Sequence, residues 1–368
     1  MADENAPMKI DTPWRRDAVE VGASLEKWAQ TEIAPDATLV SVSAPDNGMS
    51  SESVLFDIEY GGTVDRLVAR LAPLPSLVPV FQVYDIEMQA KAMRLVGERT
   101  DVPVPEVPYL VLDTGVLESH FLVMHRVDGQ APSDVPPYPF GGWVFDMTDD
   151  ERATMERNAV SVLVRLHDLR PDNADLAFLE RPDRGDSHLD QHLGHERHYY
   201  EWARDGGTYP LIERTFEWLE ANRPTLANPS VLNWGDARIG NMLWNGTEPT
   251  AVLDWEMASV GPAEVDLGWM IFLHKFFQDM AETYGFPGLP DFMRRDTLAA
   301  LYTEMSGRPV EALEWFEVFA ALRFAIVSVR TGARGVAYGQ SEEPADPDDH
   351  IMFRKLLEQM LDGTYWGA

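Results

Sequence analysis

The sequence predicts an α+β fold in which a small, strand-rich N-terminal part precedes a larger and mainly helical part. Alternating apolar and polar residues mark five short strands before residue 127, with one helical pattern inserted among them. After residue 149, apolar residues recur at helical spacing, and strand patterns return only in one short hairpin. The length of 368 residues is enough for about two domains. We therefore expect an N-terminal lobe over residues 1–127 and a C-terminal lobe over residues 128–368.

The elements of the N-terminal lobe follow from the local pattern. A helix is expected over residues 18–33, with Val19, Leu25 and Trp28 on its buried face. A second amphipathic helix is expected over residues 84–96. The five strands are expected at residues 38–44, 54–60, 64–71, 109–113 and 120–127.

Three polar residues occur in an ordered spacing within an otherwise apolar stretch of the C-terminal lobe. Asp236 is followed by Asn241 five positions later and by Asp254 thirteen positions after that. An Asn245-Gly246 pair between two strand-like runs predicts a tight hairpin turn, because both residue types tolerate positive φ. Antiparallel pairing of that hairpin would bring Asp254 back beside Asn241, with Asp236 on the preceding loop.

This arrangement indicates the catalytic centre of a kinase. An amide oxygen and a carboxylate placed together suit Mg²⁺, which prefers hard oxygen ligands and shares its coordination shell with phosphate. In kinases one Asp accepts the proton of the substrate hydroxyl, while an Asn and a second Asp hold metal against the phosphates of ATP. Asp236 is thus the candidate catalytic residue, and Asn241 and Asp254 are the candidate metal ligands. The alternative is a buried hairpin that carries these residues by chance, which D-x-x-x-x-N alone does not exclude.

The same stretch resembles the aminoglycoside phosphotransferase family, a kinase-like group that includes the choline kinases. The family's H-G-D-x-x-x-x-N corresponds to residues 234–241, its L-D-W-E to residues 253–256, and its D-L-A-W to residues 266–269. The resemblance implies a two-lobed protein-kinase-like fold that binds ATP, or GTP, with Mg²⁺. The sequence departs from the family at Trp234, which replaces a His with a mainly structural role, so we expect catalysis to survive. The W-G-D-A-R-x-G-N form is closest to the branch related to kinase domains fused to acyl-CoA dehydrogenases.

The resemblance also implies which residues contact the nucleotide phosphates. Gly48, Ser50 and Ser51 lie between the first two strands, in the loop that covers the phosphates in this family. Arg70 on the third strand takes the place of the basic residue that contacts phosphate, although a solvent-facing strand Arg is the alternative. Gln89 takes the place of the helical Glu that, in this fold, pairs with the basic residue of the third strand. Because Gln adds no charge, the partner of Arg70 is left open.

The end of the fifth strand resembles the family's hinge. In that role the backbone from Met124 to Arg126 would bond the adenine edge. A connection rich in Pro, Gly and aromatic residues follows, and the rest of the lobe is expected to be helical. Helices are expected at residues 150–169, 189–204, 210–221, 297–306, 310–331 and 350–361, with a further helix that starts at 261–262.

Two sets of polar residues in these helices are expected to be structural. His167 matches an L-H pair of the family, and Asp266 lies in the first turn of a helix, where a carboxylate is favourable. We expect Asp266 to anchor the catalytic loop. His188, His192 and His195 share one helical face, which could bind a metal. We favour a solvated or substrate-lining face, because no carboxylate partner is fixed by spacing.

The composition limits the classes of partner. The chain has 30 Lys and Arg against 61 Asp and Glu, a net charge of −31. This excess argues against nucleic acid and anionic membrane as partners. A solvated acidic surface is the favoured interpretation, and steering of a cationic acceptor is the alternative. With no cysteine and no long apolar run, we expect a soluble cytoplasmic protein without disulfides; no oligomeric state is indicated.

We therefore predict an ATP-dependent phosphotransferase that moves the γ-phosphoryl group to a hydroxyl of a small molecule. The expected acceptor is a metabolite, hydroxyacyl or aromatic, and an aminoglycoside-modifying resistance kinase is the alternative. A nucleotide-binding pseudokinase scaffold is the alternative from another class. Aromatic residues are expected near the mouth of the acceptor site at Tyr138, Phe140, Trp143, Tyr199, Tyr200 and Trp202.

Overall fold

The computed structural model describes residues 12–45 and 51–367. Two of the predicted phosphate-binding residues, Gly48 and Ser50, lie outside the described residues. The N-terminal lobe is built on a five-stranded antiparallel sheet with the order β1-β2-β3-β5-β4. Its strands are β1 (Thr38–Ser43), β2 (Glu52–Tyr60), β3 (Thr63–Leu71), β4 (Tyr109–Val111) and β5 (Phe121–His125). The predicted α+β class and the five strands are confirmed.

Helix α1 (Ala18–Glu32) packs against β1 and β2. Its N-terminus is capped by the side chain of Asp17, which accepts hydrogen bonds from two backbone N–H groups of the first turn. Leu25 and Trp28 are buried as predicted, but the prediction for Val19 is wrong, since Val19 is 68% exposed. The buried face instead begins at Val21, which lies four residues before Leu25 and seven before Trp28, on the same side of the helix.

Helix α2 (Ile86–Arg99) lies between β3 and β4 in the chain and contacts β4 and β5. Its buried side carries Gln89 and Met93. Gln89 therefore points into the lobe, as expected for a residue that pairs with the basic side chain of Arg70 on β3.

The C-terminal lobe is mainly helical and surrounds one large apolar core. Two of its helices, α6 and α8, pack closely because Gly268 of α6 has no side chain: a Cβ there would lie 2.7 Å from the backbone of Phe316. This explains why the D-L-A-W segment of the family reads D-L-G-W here. The helices are α3 (Asp149–Leu166), α4 (His188–Ala203), α5 (Pro210–Ala221), α6 (Glu264–Thr283), α7 (Arg295–Ser306), α8 (Leu313–Ala337) and α9 (Arg354–Asp362).

Two short strand pairs frame the predicted catalytic stretch. Strands β7 (Met242–Asn245) and β8 (Glu248–Val252) form the predicted hairpin. Its turn is one residue later than expected: Asn245 pairs with Glu248, and the positive φ occurs at Gly246 alone. Strand β6 (Val231–Asn233) pairs with β9 (Ser259–Gly261), which was not predicted. Because residues 259–261 extend along β6, the following helix begins at Glu264 rather than at 261–262.

The boundary between the lobes at residue 127 stays a prediction. Across the described ranges, none of the helices combines the length and apolar character needed to cross a lipid bilayer.

The packing of α1 gives a test of the N-terminal lobe. Leu25→Ala should lower the free energy of unfolding by about 2–5 kcal/mol, because it leaves a cavity in a fully buried site. Val19→Ala on the same helix removes a largely exposed side chain and should change that free energy by less than about 0.5 kcal/mol. Urea unfolding followed by circular dichroism measures both. Equal effects of the two substitutions would contradict the assignment of the buried face.

Candidate active site

The loop that carries Asp236 is anchored from behind by Asp266. The two carboxylate oxygens of Asp266 accept hydrogen bonds from the backbone N–H groups of Trp234 and Gly235, each at 2.8 Å. Nε2 of His167 lies 3.1 Å from Asp266 Oδ2, and both side chains are fully buried. Gly235 has φ of +93°, and any Cβ there would overlap the carbonyl oxygen of Met257. The structural roles expected for Asp266 and His167 are confirmed.

Trp234 occupies the position where the family carries His. Its buried side chain stabilises the loop that carries Asp236. Its ring is fully buried, and its Nε1 donates to the carbonyl oxygen of Leu253 at 2.8 Å. Leu253 directly precedes Asp254. The indole therefore ties the loop of Asp236 to the end of the hairpin, which explains how the loop is held without the His.

Asp236 is held by two side chains that the sequence reasoning missed. Its Oδ1 accepts from Nε1 of Trp269 at 2.7 Å and from Nε of Arg238 at 3.2 Å. Arg238 also donates to both carboxylate oxygens of Asp134, at 2.6 and 2.7 Å. Burial acts to lower the pKa of Arg238, but the carboxylates of Asp134 and Asp236 outweigh burial and raise it. The side chain of Asp236 is 16% exposed, so it is oriented on one side and accessible on the other.

Asn241 and Asp254 lie side by side, as the hairpin predicts. Nδ2 of Asn241 donates to the backbone oxygen of Asp236 at 3.1 Å, and the N–H of Leu253 donates to the backbone oxygen of Asn241 at 2.9 Å. Asp254 has φ of +60°, a conformation that Asp tolerates better than most residues. Because Asn241 uses its amide nitrogen toward Asp236, its Oδ1 remains as an oxygen donor, and Asp254 supplies a carboxylate from the adjoining strand end. This donor set fits Mg²⁺.

Arg70 connects β3 to the hairpin through a cluster of polar groups. Its guanidinium forms ion pairs with Asp254 and, at 3.3 Å, with Glu256, and its Nε donates to Oε1 of Gln89 at 3.2 Å. The sequence left the partner of Arg70 open. Its partners are the carboxylates of Asp254 and Glu256, both from the C-terminal lobe. Burial acts to lower the pKa of Arg70, and the carboxylates of Asp254 and Glu256 outweigh burial and raise it.

Glu256 is the last residue of the L-D-W-E motif, and the sequence predicted no role for it. Its contacts make it a candidate functional residue. Its Oε2 accepts from Oγ of Ser51 at 2.6 Å, and its side chain is 6% exposed. Ser51 is the described end of the loop predicted to cover the phosphates. Glu256 thus links that loop to Arg70 and supplies a negative charge that Gln89 does not.

The predicted hinge has most of its backbone donors in use. The N–H of His125 donates to Glu106 at 2.9 Å and that of Arg126 to Arg66 at 2.8 Å, while Met124 pairs with Val68 in the sheet. The Arg126 side chain forms an ion pair with Asp57. The adenine contact of Met124 and Arg126 stays a prediction, and at these residues it would fall to carbonyl oxygens.

The histidine face of α4 was expected to be solvated or to line the substrate site, and it is not solvated at His192. His192 is buried, with its ring against Phe319 of α8 and its Nε2 beside Gly261 of β9. Burial lowers the pKa of His192 to about 3, and Nδ1 of His188 lies 2.8 Å from Oγ of Ser230. Within residues 12–45 and 51–367, no group of three or more His, Asp or Glu side chains could hold a metal ion.

The aromatic residues expected at the mouth divide into two groups. Tyr138, Tyr199 and Tyr200 are buried. Phe140, Trp143 and Trp202 are partly buried; the two Trp rings pack against the core, and Phe140 contacts the rings of Tyr284 and Phe286. Their position at the mouth of an acceptor site stays a prediction. A narrow crevice of about 10 Å³, room for about one water molecule, borders the loop of Asp236. It is lined by Tyr138, Arg238, Ile239, Gly240, Met270, Leu273, His274, Phe277 and Met293.

Comparison with known proteins identifies the family to which this chain belongs. The profile of the phosphotransferase enzyme family (APH) matches residues 41–298, and the chain belongs to that family. It is a phosphotransferase of the small-molecule kinase type. An Arabidopsis thaliana protein assigned as the acyl-CoA dehydrogenase IBR3 is 26% identical over 300 residues, which are 78% of this chain and 35% of that protein. Human acyl-CoA dehydrogenase family member 11 is 29% identical over 203 residues, or 54% of this chain and 24% of that protein. The chain thus matches only about a third or less of these relatives' length.

Solved structures share the two-lobed kinase-like fold. A Ralstonia eutropha protein assigned as an aminoglycoside phosphotransferase has a TM-score of 0.64 and 21% identity, covering 94% of this chain and 98% of that one. Macrolide 2'-phosphotransferase MphH from Brachybacterium faecium has a TM-score of 0.55 and 19% identity, covering 92% and 98%. Aminoglycoside phosphotransferase APH(4)-Ia, in a ternary complex with AMP-PNP and hygromycin B, has a TM-score of 0.56 and 14% identity, covering 94% and 100%.

The contacts of Glu256 generate a prediction for nucleotide affinity. Glu256→Gln should weaken ATP binding by about 10- to 100-fold, since hydrogen bonds to a charged group contribute about 1.5–3 kcal/mol. Adding Gln89→Glu to this variant should restore much of the affinity, because a carboxylate then faces Arg70 from α2. Calorimetric titration with ATP and Mg²⁺ measures the affinity.

The matched control is Glu304→Gln, a 62% exposed Glu on the surface, which should bind like the unmodified protein. If Glu256→Gln binds ATP with unchanged affinity and an unchanged melting temperature, Glu256 does not organise the phosphate site.

Proposed function

We propose that the chain transfers the γ-phosphoryl group of ATP, or of GTP, to a hydroxyl group of a small metabolite. The observation that carries this proposal is the grouping of Asp236, Asn241 and Asp254 beside Arg70, at the junction of the two lobes. The amide of Asn241 bonds the backbone of Asp236, the backbone of Asn241 bonds the residue before Asp254, and Arg70 pairs with Asp254. This is the set that phosphoryl transfer requires, because the reaction depends on positioning and on neutralising charge.

Each residue takes one role in the proposed reaction. Asp236 orients the acceptor hydroxyl and accepts its proton as the oxygen attacks. Trp269 and Arg238 hold Oδ1 of Asp236, which fixes the direction of the other carboxylate oxygen. Asn241 and Asp254 would hold Mg²⁺, which neutralises the phosphate charge when it is bound. Arg70 stays charged at any working pH and can bind two phosphate oxygens at once.

The ion pair of Arg70 with Asp254 occupies the positions where phosphate and metal would bind. Both side chains are largely shielded from water, at 12% and 19% exposed. Burial raises the pKa of Asp254, even though Arg70 opposes that change. Arrival of a nucleotide with its metal gives Arg70 a phosphate partner and gives Asp254 a cation. We infer that nucleotide binding exchanges one ion pair for two.

A hydroxyacyl or aromatic metabolite is our preferred acceptor. Several relatives of similar sequence carry the name acyl-CoA dehydrogenase. The crevice beside the loop of Asp236 is lined mainly by apolar side chains. A drug with several amino groups would be expected to meet carboxylates instead.

Two other functions are alternatives to phosphorylation of a metabolite. An aminoglycoside acceptor is favoured by the net charge of −31 and by the hygromycin B complex of a structural neighbour. A nucleotide-binding scaffold without turnover is disfavoured by the intact Asp236, Asn241 and Asp254.

Substitution of the proposed catalytic residue tests the reaction. Asp236→Asn should leave ATP affinity nearly unchanged and reduce phosphoryl transfer by at least about 10²-fold, because the proton acceptor is lost. Asp254→Ala should instead weaken binding of the nucleotide with its metal. Transfer from γ-labelled ATP to hydroxyacyl and aromatic alcohols, together with calorimetry, measures both. Equal losses of binding and rate in the two variants would contradict the separate roles.

Growth of a sensitive bacterium on kanamycin-type drugs tests the choice of acceptor. We expect the chain to give no tolerance beyond that of its Asp236→Asn variant. A large rise in tolerated dose that this variant abolishes would establish the drug-modifying function instead.

A further inference from the structure

Helix α8 carries a line of arginines between the loop of Asp236 and the N-terminal lobe. Arg323, Arg330 and Arg334 are separated by seven and four residues, a spacing that places them on one face of a helix. We call these three residues the arginine face. They form a local excess of positive charge in a chain whose net charge is −31.

The inner end of the arginine face adjoins the catalytic loop. Arg323 donates through one terminal nitrogen to the carbonyl oxygen of Gly235 at 3.1 Å. Its guanidinium lies 4.5 Å from the ring centre of Trp269, the residue whose Nε1 bonds Asp236. One indole ring therefore separates Arg323 from the proposed catalytic carboxylate.

The outer end lies where the N-terminal lobe meets α8. Arg330 donates to the carbonyl oxygen of Pro79 at 3.1 and 3.3 Å, and its guanidinium lies 4.2 Å from the ring centre of Trp202. The guanidinium of Arg334 lies 4.1 Å from the ring centre of Trp14. Aromatic rings thus flank both cations.

The charges of the arginine face are poorly balanced. Glu196, 3.4 Å from Arg323, is the one carboxylate within 4 Å of these three side chains among the described residues. Arg323 is 3% exposed and its Nε faces Glu196, yet one of its terminal nitrogens has no hydrogen-bond partner, and one terminal nitrogen of the 2% exposed Arg334 also has none. Buried charged donors without acceptors are unfavourable.

The surroundings of Arg334 add to this imbalance. Burial lowers the pKa of Arg334 to about 10; the nearby hydroxyls of Tyr84 and Tyr338 oppose this effect, and the Arg15 and Arg330 cations add to it. Charged neighbours of the same sign repel one another. An anion placed among them would remove that repulsion and supply the missing acceptors.

We propose that the arginine face binds a negatively charged phosphate or carboxylate group of the acceptor, so that the enzyme phosphorylates anionic hydroxy compounds. Cα atoms eleven residues apart on a helix are about 16 Å apart, so the face can accept a charged group at a distance from the reacting hydroxyl. The proposal rests on the proposed function for the identity of the bound molecule as acceptor. It opposes the expectation from net charge alone, because these three residues are cationic although the whole chain is acidic.

A purely structural role is the competing explanation, in which Arg323 braces Gly235 and Arg330 braces Pro79. That role affects stability and all acceptors alike. Anion recognition affects charged ligands alone, and Arg334 is the best position to separate the two, since its side chain makes neither of these backbone contacts.

Binding of labelled inorganic pyrophosphate tests the proposal directly. The full chain is first saturated with AMP-PNP and Mg²⁺, so that pyrophosphate does not report on the nucleotide site, and binding is measured by equilibrium dialysis. We expect saturable binding that is at least about tenfold weaker in Arg334→Gln and largely retained in Arg334→Lys, which keeps the charge. The matched control is Arg157→Gln, since Arg157 is 51% exposed and paired with Glu304; it should bind like the unmodified chain.

Acceptor kinetics form the second arm. A hydroxyacyl thioester of coenzyme A carries phosphates, whereas the same thioester of N-acetylcysteamine carries no charge. Arg334→Gln should raise KM for the charged thioester and leave kcat and the neutral thioester unaffected.

The outcomes separate this proposal from the proposed function. Pyrophosphate binding that depends on Arg334, without turnover of either thioester, supports the arginine face and contradicts the hydroxyacyl acceptor. Turnover of both thioesters with the same kinetics in the unmodified chain and in Arg334→Gln overturns the arginine face and leaves the proposed function standing. Absence of saturable pyrophosphate binding to the unmodified chain also overturns it.

Discussion

The ion pairs of Arg70 with Asp254 and Glu256 are the interaction on which the site depends. They join β3 of the N-terminal lobe to the end of the catalytic hairpin, in surroundings that are largely shielded from water. A buried cation that loses one partner is strongly destabilised, because its remaining charge is uncompensated. The position of Arg70 therefore fixes where Ser51 and Gln89 lie relative to the hairpin, and with them the space for phosphates.

A second constraint sets the chemistry on the other side of the cleft. Asp266 accepts two backbone N–H groups of the catalytic loop, and Trp234 ties the loop to the residue before Asp254. Both contacts come from buried side chains, so the loop is held by the helical core and not by solvent-exposed bonds. The same core carries α8, whose three arginines we propose as the binding site of an anionic group of the acceptor.

The sequence predicted the parts of the fold that are decided locally. The hairpin between Asn241 and Asp254 follows from alternation and a Gly at the turn, so the relation of the two residues needed no knowledge of distant contacts. Contacts between residues that are distant in the chain could not be predicted from the sequence. Strand β9 exists because residues 259–261 pair with β6, and the burial of His192 depends on contacts with Phe319 and Gly261. Glu256 could be found as part of a motif, but its partners are distant in the chain, 186 residues from Arg70 and 205 from Ser51.

A crystal structure with AMP-PNP and Mg²⁺ tests the central claim most directly. The account predicts that Asp254 and Asn241 each place an oxygen on the metal, while the Arg70 guanidinium leaves Asp254 for a phosphate and keeps its contact with Glu256. The carboxylate of Asp236 should face the γ-phosphate. An unchanged ion pair between Arg70 and Asp254, with nucleotide bound and its metal held by other residues, would contradict the account.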